Sequence, residues 1–346
     1  MEDRKIRVGI THGDINGVGY EVILKAFSDP TMLDLCTPII YGSPKVAAYH
    51  RKAMDIQTNF SIVNSISEVQ DGRLNIINCT DDELKVELAK PTAEAGQAAL
   101  AALEAALQDY RDGWFDVLVT APINKHTIQS DTFHFPGHTE YIEERVGEGQ
   151  KALMILLKGD FRVALVTGHI PVREVAETIT QELIMEKIAI FHRSLKYDFG
   201  IDSPRIAVFS LNPHAGDGGL IGSEEQTVII PAIQEMVKKG VQCFGPYPAD
   251  GFMGSGNYRH FDGILAMYHD QGLAPFKALA MDEGVNYTAG LPIVRTSPAH
   301  GTAYDIAGQG IASEDSFRQD IYVALDIFRN RMFEEEISAR PLRKQY

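Results

Sequence analysis

Three histidines stand just past the ends of apolar runs. RVALVT closes at Thr167 and leads into Gly168-His169-Ile170-Pro171; RIAVFS closes at Ser210 and leads into Asn212-Pro213-His214; ILAMY closes at Tyr268 and leads into His269-Asp270-Gln271. A buried strand has no structural use for such clusters, and open α/β folds bind ligands beyond the carboxyl ends of their strands. Three imidazoles converging from separate strand ends make a divalent-metal site a candidate, since neutral imidazole suits zinc, cobalt and nickel. Three protein ligands would leave a position open for substrate. Taken singly, each His reads as a satisfied or surface side chain; the repeated placement carries the metal reading. Asp217, Asp250 and Asp270 stand by as a further ligand, as an orienting partner for a His, or as turn caps, the cap being the default for Asp217 in its Gly-rich run.

Beyond the third His come Lys277, Asn286 and Arg295 at loop-like positions. With His138 and Thr139 of FPGHTEY they could form an anion pocket, Arg offering bidentate geometry and Lys a point charge. Alone, Lys277, Arg295 or Lys125 reads as a solvated surface charge. SPAHGTAYDIAGQG, Ser297 to Gly310, is either a surface loop or an adenosine site. In the second case Gly301, Gly308 and Gly310 let backbone approach the ligand, His300 stacks on the base, and Asp305 stands beside them.

Strands must position these groups. Lys5 to Thr11, Pro38 to Tyr41, and Asp116 to Thr120 (DVLVT, leading to Asn124-Lys125-His126) join the three strands above. Helical stretches lie between them: Glu21 to Phe27, an Ala-rich helix after Pro91 with Leu100, Leu103, Leu107 and Tyr110 on one face, Thr178 to Leu195, and Ser316 to Glu335 at the end. A further helix should start after Ser223, which has capping-box spacing to Gln226. Alternating strands and helices mean βα units and a mostly parallel sheet, whose strand ends should open on a common crevice. Gly272 is expected to turn the chain after His269, and Gly245 to Gly251 to form a loop. Gly13, Gly17 and Gly19 follow the first strand without a third glycine at G-x-G-x-x-G spacing, so the dinucleotide fingerprint is excluded. That loop serves either helix–sheet packing or the substrate side.

With 346 residues the chain exceeds one ordinary core and suits two domains. Its 32 basic and 47 acidic residues leave a net charge of −15, which argues against general nucleic-acid or acidic-membrane binding. Cys36, Cys79 and Cys243 form no disulfide framework and read as small buried residues of a reducing compartment. No signal-peptide pattern and no membrane-length apolar run is present, so a cytoplasmic location is expected.

At THGDINGVGYE, VTAPINK, FPGHTEY, VTGHIPV, LNPHAGDGGLIGSEE, GPYPADG, YHDQGLAPFK and EGVNYTAGLPIVRTSPAHGTAYDIAGQG, in that order, the chain resembles the 4-hydroxythreonine-4-phosphate dehydrogenases, an NAD-dependent family of pyridoxal phosphate biosynthesis. The resemblance runs from the first strand to the last helix. It implies an α/β fold of two α/β/α domains with a cleft between, as in isocitrate and isopropylmalate dehydrogenases. In those relatives a loop similar to AHGTAYDIAG carries the cofactor's adenosine. One domain is expected to span 1–125 plus 290–346; the other, 126–289, is expected to carry metal ligands and a dimer interface. By resemblance the metal ligands are His169, His214 and His269, and the substrate contacts are His138, Thr139, Lys277, Asn286 and Arg295. Cofactor contacts fall on His300, Gly301, Asp305 and Gly308.

The cofactors implied are NAD or NADP and a divalent metal, zinc first, with magnesium or cobalt as alternatives. The partner implied is a second copy of the chain, sharing the active site. The expected reaction oxidises a phosphorylated four-carbon hydroxy acid to a β-keto acid that then decarboxylates. Lys277 is the candidate for proton transfer or carboxylate binding, and Asp250 and Asp270 for the base. The first loop departs from the family's usual GDPAGIGPE: Ile15, Asn16 and Tyr20 replace Pro, Ala and Pro. Because that loop borders the cleft in such folds, substrate choice could differ there, toward threonate or erythronate 4-phosphate. A zinc hydrolase and a non-catalytic anion-binding protein are the rival readings.

Overall fold

Apolar runs became strands and amphipathic runs became helices, in alternation. A computed structural model describes residues 4–81, 83–130 and 133–339. Twelve strands occur among them: β1 (Arg7–Thr11), β2 (Thr37–Gly42), β3 (Phe60–Val63), β4 (Leu74–Asn78), β5 (Val117–Thr120), β6 (Leu153–Lys158), β7 (Phe161–Leu165), β8 (Arg205–Phe209), β9 (Gln242–Tyr247), β10 (Gly263–Ala266), β11 (Val285–Ala289) and β12 (Val294–Pro298). The chain divides into two units. The first draws on Met1–Ala152, Asp282–Asn286 and Leu291–Leu325, and the second on Leu153–Met281, Tyr287–Gly290 and Asp326–Tyr346. The first limit falls after Ala152 rather than at 125, because Phe133, Tyr141, Ile142 and Val146 join the core that holds Leu103 and Leu107. The last helix, Asp315–Ala339, also divides between the units, where sequence placed it in the first domain.

In the first unit the strand order is β3-β4-β2-β1-β5-β12, and every pairing is parallel. The Ala-rich helix Ala93–Arg111 packs on β1 and β2. The Thr92 hydroxyl caps it by accepting the Ala95 N–H at 3.2 Å, and Gly113 ends it with φ +74°. Leu100, Leu103 and Leu107 are buried and Tyr110 packs beside them, as the spacing predicts. The unusual residues of the first loop are interior. Ile15, Asn16 and Tyr20 are each 0% exposed. The Asn16 amide donates to Lys90 O and Thr92 Oγ1 and accepts the Glu87 N–H, and the Tyr20 hydroxyl accepts the Ser43 N–H at 2.9 Å. Asn16 and Tyr20 thus pin this loop to its neighbours.

The second unit has the order β6-β7-β10-β8-β9, parallel except for the β6–β7 hairpin. Gly272 makes no turn. It lies within the helix His269–Ala280, and a Cβ there would stand 2.7 Å from Leu165 Cδ2, so glycine lets this helix close onto β7. GPYPADG is likewise ordered: β9 runs through Tyr247 and the helix Ala249–Gly254 follows. After Ser223 the chain starts with a π turn, Glu225–Ile229, before the helix Ile230–Lys238, without a side-chain cap. The helix expected over Thr178 to Leu195 runs from Gln181 to Tyr197, after a short helix Val172–Thr178. The three cysteines are free. Among the described residues no helix is long and apolar enough to cross a membrane.

Candidate active site

The first unit gathers a buried polar cluster around Arg295 at the carboxyl edge of its sheet. β5 ends at Thr120, and its neighbour β12 carries Arg295, which is 2% exposed. The Arg295 Nε and Nη2 donate to Thr120 Oγ1 at 3.1 and 2.6 Å. Nη2 also lies 3.2 Å from Nδ1 of His138, the first residue of the helix His138–Val146. A guanidinium can only donate, so Nδ1 accepts and this ring is neutral. Burial, then the charges of Arg295 and Lys125, hold the His138 pKa well below its ordinary value. Burial draws Arg295 down to about 10, opposed by Asp320 and Glu140, so it stays cationic at neutral pH. Thr139 is half-buried beside His138. Asn286, half-buried on β11, has an Oδ1 with no partner. Guanidinium, imidazole, hydroxyl and amide are donors that suit phosphate or carboxylate.

Three loops of this unit leave the neighbouring strands β1, β5 and β12, and the expected cofactor loop is one of them. His300 is half-buried with Nδ1 2.9 Å from Gly301 O, and burial lowers its pKa. Gly301 and Asp305 are exposed. Gly308 (φ +80°) backs onto Leu88. Sequence reasoning passed over Thr120, although a threonine that closes an apolar strand was a visible signal. It also missed Asp320, which sits with Phe317, Ile321 and Ala324 at helical spacing on a buried face. Burial raises its carboxyl well above the usual range.

In the second unit β7, β10 and β8 are parallel neighbours, so the loops carrying His169, His269 and His214 share one edge. The structure brings together two of the three. His169 and His269 have ring centroids 5.7 Å apart and line one pocket with Gly168, Ile170, Tyr268 and Asp270. Asp270 Oδ1 lies 2.7 Å from His269 Nδ1, so the carboxylate orients that ring. His214 is exposed on a separate turn whose backbone from His214 to Gly218 is left-handed, with φ between 43 and 74°. The buried Glu225 carboxylate sets this turn by accepting the Leu211 and Asn212 N–H groups at 2.9 and 2.7 Å. Among the described residues no group of three or more His, Cys, Asp or Glu converges as a metal site. Two imidazoles and an orienting carboxylate fit the donor chemistry of a divalent ion; a third donor has to come from outside this pair. Asp250 is exposed in the first turn of Ala249–Gly254, and Lys277 is exposed near the end of His269–Ala280.

Parallel units whose carboxyl edges carry a buried arginine cluster in one and paired imidazoles in the other place the chain among α/β enzymes of small anionic substrates. The chain matches the family described as pyridoxal phosphate biosynthetic protein PdxA over residues 34–324, and it belongs to that family. It is 76% identical over 346 residues to the 4-hydroxythreonine-4-phosphate dehydrogenase of Bacteroides thetaiotaomicron, covering 100% of this chain and 95% of that protein. It is 37% identical to an Oceanobacillus iheyensis protein provisionally named D-threonate 4-phosphate dehydrogenase, covering 94% of this chain and 98% of the relative. The crystal structure of 4-hydroxythreonine-4-phosphate dehydrogenase from Klebsiella pneumoniae aligns with a TM-score of 0.80 at 31% identity, over 95% of this chain and 99% of that one.

Proposed function

We propose that this chain is a nicotinamide-dependent dehydrogenase that oxidises 4-(phosphooxy)-threonine to a β-keto acid, which loses carbon dioxide to give 3-amino-2-oxopropyl phosphate. The observation that carries this reading is the full-length likeness to 4-hydroxythreonine-4-phosphate dehydrogenases. In the oxidation the substrate hydroxyl loses its proton to a base while hydride leaves the same carbon for the nicotinamide, NAD in our reading. A divalent ion, zinc first, would be held by His169 and His269, with His214 of a second copy as the further donor; when bound, it acidifies a hydroxyl and polarises carboxyl-side oxygens. That supply of His214 makes the working form a homodimer, for which we keep the cytoplasm as the location.

Arg295, His138, Thr139 and Asn286 bind the anionic ends of the substrate, and the fixed guanidinium orients them. Asp270 already serves His269, so Asp250 is the better candidate for the base, with Lys277 for proton return or for the carboxylate. His300, Gly301, Asp305 and Gly308 receive the cofactor's adenosine half. The O. iheyensis relative supports a second reading, in which threonate 4-phosphate is the substrate. The buried positions of Ile15, Asn16 and Tyr20 weigh against that loop as its cause. The test is to supply the protein with NAD and 4-(phosphooxy)-threonine and to follow reduced cofactor and carbon dioxide together. Equimolar release supports the reading, and reduced cofactor without carbon dioxide removes the decarboxylation.

A further inference from the structure

The three loops beyond β1, β5 and β12 meet at one phenol. The Tyr304 hydroxyl donates to Asp14 Oδ2 at 2.6 Å and accepts from Asn124 Nδ2 at 3.2 Å. Asp14 is 1% exposed, and its other oxygen accepts the Asn16 N–H at 2.8 Å. The backbones are joined as well. Val18 N–H donates to Thr302 O at 3.1 Å and Asp14 N–H to Pro122 O at 2.9 Å. Gly17 runs so close to the third loop that a Cβ would stand 2.6 Å from Thr302 O. Lys25 Nζ ties the far end of that loop by donating to Gly310 O and Ala312 O at 2.9 and 2.7 Å.

We propose that Tyr304, held by Asp14 and braced by Asn124, is a positioning residue for the nicotinamide cofactor: it fixes the Ala299–Gly310 loop in the shape that receives the adenosine half. The proposal rests on the reading of that loop as the cofactor site. The loop has little core of its own, since Ala307 is its one buried side chain among residues 299 to 310. With few apolar anchors, it depends on polar ties for a single shape. A phenylalanine would fill the ring's place but leave the buried Asp14 carboxylate without this donor, and burial already pushes that carboxyl above its usual range. The hydroxyl–carboxylate latch therefore serves something other than space filling. A loop that must be ordered by its ligand binds it more weakly than one already in shape.

The test compares wild type with Tyr304→Phe and Asn124→Ala. The readouts are NAD binding without substrate, KM for NAD and for the phosphorylated substrate, kcat, and thermal midpoint. Tyr304→Phe should weaken NAD binding and raise its KM about tenfold, the effect of losing one hydrogen bond to a charged acceptor. KM for the phosphorylated substrate and kcat at saturating NAD should stay within about twofold, and Asn124→Ala should act in the same direction but less. Unchanged NAD affinity in both variants overturns the proposal, as does equal weakening of both ligands. Wild type that binds no NAD removes the cofactor-site reading itself, so the two failures are told apart.

Discussion

Acid should destabilise the first unit in part through two buried rings. His12 and His50 flank Tyr20 in a stack, with centroids 5.0 and 5.4 Å from the Tyr20 ring, at 0% and 1% exposure. Among the described residues neither nitrogen of His12 makes a well-formed hydrogen bond, and His50 bonds through Nε2 to Ile15 O at 2.8 Å. Burial lowers both rings from 6.5 to about 4. Between those values the unfolded chain binds more protons than the folded one. Stability is therefore complete above about 6.5 and falls as pH falls toward about 4. A pH of 5 lies about 1.5 below the unfolded pKa and still above the folded one, which costs about 2 kcal/mol per ring and about 4 kcal/mol for the pair. That is a large share of an ordinary folding free energy of about 5–15 kcal/mol. Urea unfolding at pH 7 and pH 5, followed by circular dichroism, reads the difference. His12→Phe keeps a stacked ring and removes one titration, so it should recover about half of the pair's share, about 2 kcal/mol. Equal losses in wild type and variant, or no loss at pH 5, would refute the reasoning.

Arg295→Lys keeps the charge but cannot reproduce the contacts to Thr120 and His138; steady-state kinetics should show KM for the phosphorylated substrate up about tenfold or more. Gly272→Ala drives a Cβ to 2.7 Å from Leu165 and 3.0 Å from Val163. It should cost about 1–3 kcal/mol, visible as a lower thermal midpoint. Asp198→Ala removes the shared acceptor of Arg331, Tyr287 and Ser194, at 2.7, 2.7 and 2.6 Å. The guanidinium left behind is largely buried, so the urea midpoint should fall by the equivalent of about 3–5 kcal/mol.

Much of this fold was legible because periodicity reports burial. The parallel order could be expected from alternating runs, and the Ala93–Arg111 helix from the spacing of Leu100, Leu103 and Leu107. Gly272 misled because a glycine after a strand reads as a turn, whereas here it is a contact with β7, and contacts between distant segments leave no local mark. His169 and His269 could be paired from their strand ends. The left-handed run at His214 could not, since Ala215 and Asp217 adopt positive φ beside backbone held by the distant, buried Glu225. The Tyr304–Asp14 bond joins residues 290 apart, and nothing in the local sequence marks Asp14 as its partner. Asp320 was legible in principle, as a carboxylate on an otherwise apolar helix face.

The central claim is the substrate, and a competition measures it most directly. Wild-type protein with NAD is given 4-(phosphooxy)-threonine, threonate 4-phosphate and erythronate 4-phosphate separately, and kcat/KM is compared by reduced-cofactor formation. The account predicts the highest kcat/KM for the amino acid, the substrate in the name of the 76% identical relative. A higher kcat/KM for either non-amino acid would contradict it.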